Sequence, residues 1–214
     1  MTKMCAFVAL GVAALAGSAN AGIIGTSGAA DLIAAPADAR INALVNATRV
    51  HVWNEQQNHT LASALRVNAI NPGLYNSTSD LVNASISAGT AVASHYIHFD
   101  SPGGTSASAT GSVTFDADIL GVICLGDSTS ISHLDDSDFL SSGTLYSNNV
   151  ANRGLELSNN EFFRISADRR TVEFSFRIGS PGDFMRVVTM VPTPGSAALA
   201  VVGFGMLARR RRSV

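Results

Sequence analysis

The sequence predicts an all-β fold, a single antiparallel β-sandwich or jelly-roll-like domain set between an N-terminal signal peptide and a C-terminal sorting helix. Three observations predict the β domain. Residues 171 to 178 alternate strictly, with Val172, Phe174, Phe176 and Ile178 on one side and Thr171, Glu173, Ser175 and Arg177 on the other, the period of two of a half-buried strand. Short clusters such as Asn71-Pro72-Gly73, Ser101-Pro102-Gly103-Gly104 and Ser180-Pro181-Gly182-Asp183 separate such runs, and Gly and Pro supply the backbone angles that turns need. Between the two ends no long stretch repeats its apolar residues at helical spacing, which favours strands joined by tight turns.

Residues 1 to 21 have the composition of a secretory signal. Lys3 supplies the charge, Ala6 to Ala16 the apolar stretch, and Ala19-Asn20-Ala21 the small-residue cleavage site, with Ala19 and Ala21 at the two positions a signal peptidase reads. Residues 22 to 47 are rich in Ala and Gly with Pro36 as a breaker, and read as a partly irregular leader or a helical turn around Asp31. The β domain is expected over 48 to 190. Thr48, Val50 and Val52 alternate with Arg49, His51 and Trp53, and residues 54 to 58 close that strand. A short element follows between Leu61 and Ile70. His95, Ile97 and Phe99 alternate with Tyr96, His98 and Asp100. Val113, Phe115 and Ala117 alternate with Thr114, Asp116 and Asp118 and run on into the apolar stretch 119 to 125. Residues 161 to 166 join the 171 to 178 strand through a hairpin turn at Ala167-Asp168-Arg169-Arg170, and Phe184 to Met190 form the last strand.

The chain ends in three parts. Val191-Pro192-Thr193-Pro194 forms a rigid turn, since proline fixes φ and is accepted at a first helical position. Gly195 to Ala208 is apolar, about 14 residues at roughly 1.5 Å each, hence about 21 Å long, against a bilayer core of about 30 Å. Arg209, Arg210, Arg211 and Arg212 then form a charge lock that stays cytoplasmic by the positive-inside rule, leaving the rest of the chain outside. Such a transmembrane helix is short for a permanent anchor and sufficient for a temporary one; a permanent tail anchor is the alternative.

With both ends removed, nine basic residues, all arginine, face all sixteen acidic ones, a net charge of −7. That balance favours solubility and disfavours nucleic acid or anionic lipid as partners. Cys124 is the single cysteine left, so the domain holds together by its core without an internal disulfide. Its apolar surroundings, 119 to 125, suit a buried hydrophobe rather than a nucleophile.

The tail resembles the PEP-CTERM signal of exosortase-sorted bacterial exported proteins, which pairs a Val-Pro-Glu-Pro motif with a short apolar helix and an arginine cluster; here Thr193 stands where that family has Glu. The blocks Val52-Trp53-Asn54-Glu55-Gln56, 88 to 100, 111 to 123, 137 to 140, 153 to 157 and 182 to 189 are similar to segments of the same family. The resemblance implies an exosortase-like membrane enzyme as partner, transient inner-membrane anchoring, and then residence at the cell surface or in the extracellular matrix, associated with exopolysaccharide. It implies no reaction.

Candidate chemistry is sparse. His95 and His98 lie three apart, which on a strand points them to opposite faces and denies them a shared ion. Asp135, Asp136, Asp138, Asp116 and Asp118 have the oxygen ligands calcium takes, but no EF-type loop is present and the same residues start turns and pair with arginines. No cofactor is otherwise called for. No Gly-x-Ser-x-Gly elbow, phosphate loop or His-Glu-x-x-His occurs between the ends. The first expectation is therefore a non-enzymatic surface or matrix structural protein. The second is a carbohydrate-binding module using Trp53 with Glu55 and Gln56, joined by Asn54 and by Tyr75, Tyr96 or Tyr146, as an exposed aromatic platform. The third is a glycoside hydrolase with two dispersed carboxylates about 5 to 10 Å apart.

Overall fold

The strict alternation of 171 to 178 is realised in strand β12, Thr171–Ile178, where Val172, Phe174, Phe176 and Ile178 are buried while Glu173 and Arg177 are exposed. The computed structural model describes residues 21–125, 133–147, 154–155, 157, 160–178 and 182–191. Among them the regular structure is almost all strand: β1 Ile23–Gly28, β2 Ala30–Leu32, β3 Val50–Asn54, β4 His59–Thr60, β5 Leu65–Val67, β6 Gly73–Tyr75, β7 Ala84–Ile86, β8 Ala91–Phe99, β9 Ala107–Phe115, β10 Ile119–Ile123, β11 Phe162–Ile165, β12, and β13 Asp183–Met190. Helical structure among the described residues is limited to single 3₁₀ turns at Thr78–Asp80, Pro102–Gly104 and Asp138–Leu140. No helix among them is long and apolar enough to cross a membrane.

The strands form a five-stranded sheet in the order β1-β9-β12-β11-β6 and a larger sheet in the order β10-β13-β8-β3-β2, with β4 also paired to β8; β5 and β7 pair separately. Pairing is antiparallel except for β2 with β3. One apolar cluster draws on both sheets, joining Val113, Phe115, Val172, Phe174 and Phe176 of the first to Val50, Val52, Ile97, Phe99 and Met185 of the second. A second cluster covers the other face of the larger sheet. There Trp53, Val92, Tyr96, Phe184 and Val188 meet Leu61, Leu65, Val67, Ile86, Leu134, Leu140 and Tyr146. The larger sheet is thus apolar on both faces, and every residue of β8 after Ala91 is buried.

Three expectations need correction. The Ala/Gly-rich stretch 22 to 47 is not a leader outside the sheets: it supplies β1 and β2, so strands begin at Ile23 rather than near 48. Its small residues serve close backbone approach. A Cβ on Gly111 of β9 would lie 2.7 Å from the Ser27 carbonyl oxygen, and Gly28, at φ 65°, makes the corner between β1 and β2 with Thr110 O 2.5 Å from where its own Cβ would be. The run expected to continue from 113 through 125 breaks at Asp116-Ala117-Asp118, and its halves, β9 and β10, go to different sheets. The strand expected to be half exposed at 48 to 53 is Val50–Asn54 and buries Trp53 as well as Val50 and Val52, because the second cluster roofs that face.

The hairpin at 167 to 170 joins β11 to β12 as expected. Arg169 adopts φ 60°, and its guanidinium donates to the carbonyls of Ile119 (2.8 Å) and Ile70 (2.7 Å), fastening the turn across to β10.

Candidate functional site

A buried ion pair lies under the roof of the larger sheet. Arg186 lies mid-β13 and Glu55 just past β3, and neither side chain is exposed. The guanidinium donates from Nε to Glu55 Oε2 at 2.6 Å and from Nη2 to Oε1 at 2.8 Å, a bidentate pairing. Glu55 also accepts from the Ser94 hydroxyl (2.8 Å) and the Tyr146 hydroxyl (2.5 Å). The rings of Tyr96 and Tyr146 lie 5.1 and 5.4 Å from the guanidinium carbon. Burial works against the Arg186 charge, but the Glu55 carboxylate more than offsets it and holds the guanidinium pKa above its ordinary value. Burial first, and then the same carboxylate, raises the Tyr146 phenol, which keeps it a donor.

The remaining donors of Arg186 hold a loop. Nη1 donates to Leu134 O at 3.1 Å and to the Ser137 hydroxyl, and Nη2 donates to Asp138 Oδ1 at 3.2 Å. This pins residues 134 to 140 and positions what they carry. Beside them a surface depression of about 210 Å³ is lined by Ser63, Ala64, Leu65, Arg66, His133, Asp136 and Phe139. Phe139 is 51% exposed, and its ring centroid lies 5.6 Å from that of His59. An aromatic face beside a guanidinium, a carboxylate and a hydroxyl is an arrangement that can stack on an apolar ring face and hydrogen-bond its edge.

Trp53 and Glu55, expected as a surface platform, are instead interior. The Trp53 ring packs on Tyr96 (centroids 5.1 Å) and His98 (5.9 Å) and has no exposed area, while Glu55 is spent on Arg186. Gln56 is half-buried and donates to Ser141 O at 3.2 Å. Tyr75, Tyr96 and Tyr146 are buried too. These rings form no exposed platform, since Trp53, Tyr96 and Tyr146 lie under the roof of the larger sheet and Tyr75 in the shared core.

His95 and His98 do point to opposite sides. His95 bonds Asn54 Oδ1 (2.8 Å) and Thr189 Oγ1 (3.0 Å) and packs on Phe115 in the shared core, where burial lowers its pKa to about 3. His98 bonds Leu44 O at 2.8 Å and packs on Phe184 under the roof. Sequence reasoning missed that His98 sits directly across from His51, itself in register with Asp31, since only the β2-β3-β8 pairing aligns them. Of the five aspartates considered for calcium, three have nitrogen partners: Asp138 receives Arg186, Asp118 lies 3.3 Å from Arg170, and Asp116 accepts from the Gly22 amide at 2.8 Å. Among the described residues no three His, Cys, Asp or Glu side chains converge on a cation position. The turn at Asp138–Leu140 forms as expected, but its N-cap is Ser137 and no aspartate side chain caps it. Cys124 is fully buried, and burial pushes its thiol pKa up, as befits a core side chain.

Of the expected processing residues, Ala21 and Val191 are described; Ala19, Pro192, Thr193, Pro194 and Arg209, Arg210, Arg211 and Arg212 lie outside the described residues. Ala21 and Val191 pack together in a small buried cluster with Ala93 and Ala117. No family model, no curated protein and no solved structure matches the chain.

Proposed function

We propose that this chain is an exported structural protein, sorted through its C-terminal tail by an exosortase-like membrane enzyme and retained at the cell surface or in an exopolysaccharide-containing matrix. Its two sheets form a β-sandwich, and the domain has a mechanical or scaffolding role rather than a catalytic one. The tail inserts transiently into the inner membrane, because each arginine costs roughly 2.5 to 3.5 kcal/mol at mid-bilayer and Arg209 to Arg212 therefore stay behind. The observation that carries the reading is the meeting of Ala21 and Val191 in one buried cluster. Both expected processing points then flank the two sheets, and every strand named above lies between them. The intact mass of protein recovered from the native cell surface tests this. The expected species begins near Gly22 and ends close to Pro192. A species still carrying the arginine cluster would identify a permanent tail anchor instead, and an unchanged distribution after deletion of the sorting enzyme would overturn the reading.

A second reading, carbohydrate binding, moves from Trp53 to the depression beside Phe139, which the exposed ring favours. Covering an aromatic ring with the apolar face of a sugar removes a few tens of Å² of apolar surface from water, on the order of 1 kcal/mol. Phe139→Ala is accordingly expected to weaken polysaccharide retention in a pull-down several-fold while Gln56→Ala leaves it unchanged. Equal retention by wild type and Phe139→Ala would dispose of this reading.

A further inference from the structure

Gly22 is held at two points by one residue. Its amide nitrogen donates to Asp116 Oδ1 at 2.8 Å, and its carbonyl accepts from the Asp116 amide at 3.1 Å. The next residue is held as well, Ile23 N donating to Asn54 Oδ1 at 3.2 Å. These contacts tie the chain from Gly22 onward to the β9–β10 turn and to the end of β3. Ala21, immediately upstream, is fully buried against Ala93, Ala117 and Val191. Around Gly22 the space is open, since a Cβ built there meets nothing within 4 Å.

We propose that the peptide bond between Ala21 and Gly22 is the maturation site, and that the α-ammonium released at Gly22 forms an ion pair with the Asp116 carboxylate that locks β1 to the turn between β9 and β10. The proposal rests on the export reading above for the existence of the cut. A signal peptidase of the exporting membrane adds one water. The amide C–N bond breaks, hydroxide adds to the Ala21 carbonyl carbon, which departs as a carboxylate with the leader, and the Gly22 nitrogen keeps the bonding pair and takes up protons to become –NH₃⁺. A hydrogen bond from a neutral amide thereby becomes a charge-assisted one on the same oxygen, and such bonds are shorter and stronger. Because Ala21 is buried in the folded domain, the cut precedes folding and the pair closes as the domain forms.

The charged and titratable groups linked to this nitrogen through its contacts are Asp116, which accepts from it, Asp118 two residues on in the same β9–β10 turn, Arg170 from the β11–β12 turn, paired with Asp118 at 3.3 Å, and His95 of β8, which bonds the Asn54 oxygen that Ile23 also uses. His95 is neutral over the relevant range, its pKa lowered to about 3 by burial. Carboxylates and guanidinium groups ordinarily titrate outside pH 6 to 10, whereas an α-amine titrates near 7.7 to 8.0, so the amine is the group that changes charge in that window. Pairing raises its folded-state pKa above the unfolded value. The stabilisation is then complete below about pH 7.7 and is lost as pH rises through the raised value.

The composition supplies a clean test, because Lys3 is the only lysine in the chain and leaves with the leader. The α-amine of the processed chain is then its sole primary amine, and an amine-selective acetylating reagent modifies nothing else of that kind. The full chain is exported from a bacterial host lacking the sorting enzyme, purified with its tail, and its N-terminus read by mass. Melting curves are recorded at pH 6 and pH 10 before and after acetylation. The expected product begins at Gly22, and acetylation lowers its Tm by about 2 to 4 °C at pH 6 with no change at pH 10. Asp116→Asn in the exported chain abolishes the effect of acetylation, and the same substitution in unprocessed chain from the cytoplasm costs less at pH 6 than it does after processing. A product beginning anywhere but Gly22 overturns the cut position. A product beginning at Gly22 whose Tm is indifferent to acetylation at pH 6 overturns the ion pair and leaves the export reading standing.

Discussion

Glu55→Gln is expected to destabilise the domain by about 3 to 5 kcal/mol, the usual cost of removing one partner from a buried ion pair. The substitution keeps the shape of the side chain and removes its charge, leaving the fully buried Arg186 guanidinium without the carboxylate that offsets its desolvation. Leu134 O, Ser137 and Asp138 still accept from it, but Asp138 is partly exposed and only a single oxygen reaches it. Arg186→Met is expected to cost a similar amount for the opposite reason, leaving the Glu55 carboxylate with only the hydroxyls of Ser94 and Tyr146. At roughly 2 to 4 °C per kcal/mol for a domain of this size, the fall in Tm is about 6 to 20 °C. Urea denaturation of the two single variants and of Glu55→Leu/Arg186→Met measures it. The double variant should recover part of the loss, since an apolar pair can replace a buried ion pair at little net cost, though the orphaned hydroxyls keep it below wild type. In the Arg186→Met variant the amides of Ser137 and Leu140 should exchange with solvent faster, because Arg186 holds the loop they belong to. Single variants that each lost less than about 1 kcal/mol would mean that the pair contributes no more than an exposed one.

The second large effect is expected at Phe176→Ala, about 3 to 5 kcal/mol for the lost transfer free energy and the cavity left behind. Phe176 of β12 stacks on Phe174 at 4.7 Å between centroids and faces Phe99 of β8, in the other sheet, at 6.4 Å. Its removal loosens the contact between the two sheets, not only the packing within one. Arg177→Ala, one residue along and exposed on the opposite side of the same strand, should change stability by less than about 0.5 kcal/mol. Denaturant midpoints of the two variants compare the faces directly. A Phe176→Ala loss no larger than that of Arg177→Ala would contradict the shared core.

How much of this was legible in the chain depended on whether one face of a strand stayed wet. In β12 it does, so Val172, Phe174, Phe176 and Ile178 announce themselves by period alone, and the hairpin to β11 follows from the turn residues between. In β8 neither face does. His95 and Ile97 enter the shared core while Tyr96 and His98 lie under the roof, and an alternation of apolar and polar letters there marks no difference in exposure. Edge strands β1 and β2 gave little hydrophobic signal, because each buries a single apolar residue, Ile23 and Ala30, and otherwise docks through backbone bonds and close glycine contacts.

The sequence by itself determined the strand periodicity of β12, the turns that punctuate the chain, the opposed directions of His95 and His98, and the burial of Cys124, since all of these follow from local period and local composition. Only the tertiary structure decided where Trp53 and Glu55 go. Trp53 sits out of phase with Val50 and Val52 and reads as surface until Leu61, Leu65, Leu134, Leu140 and Tyr146 arrive from elsewhere in the chain to cover it. Glu55 and Arg186 lie 131 residues apart, and no local spacing links them. Their pairing is a consequence of β3 and β13 both flanking β8, where a charge enclosed on every side must find its opposite or not be buried at all.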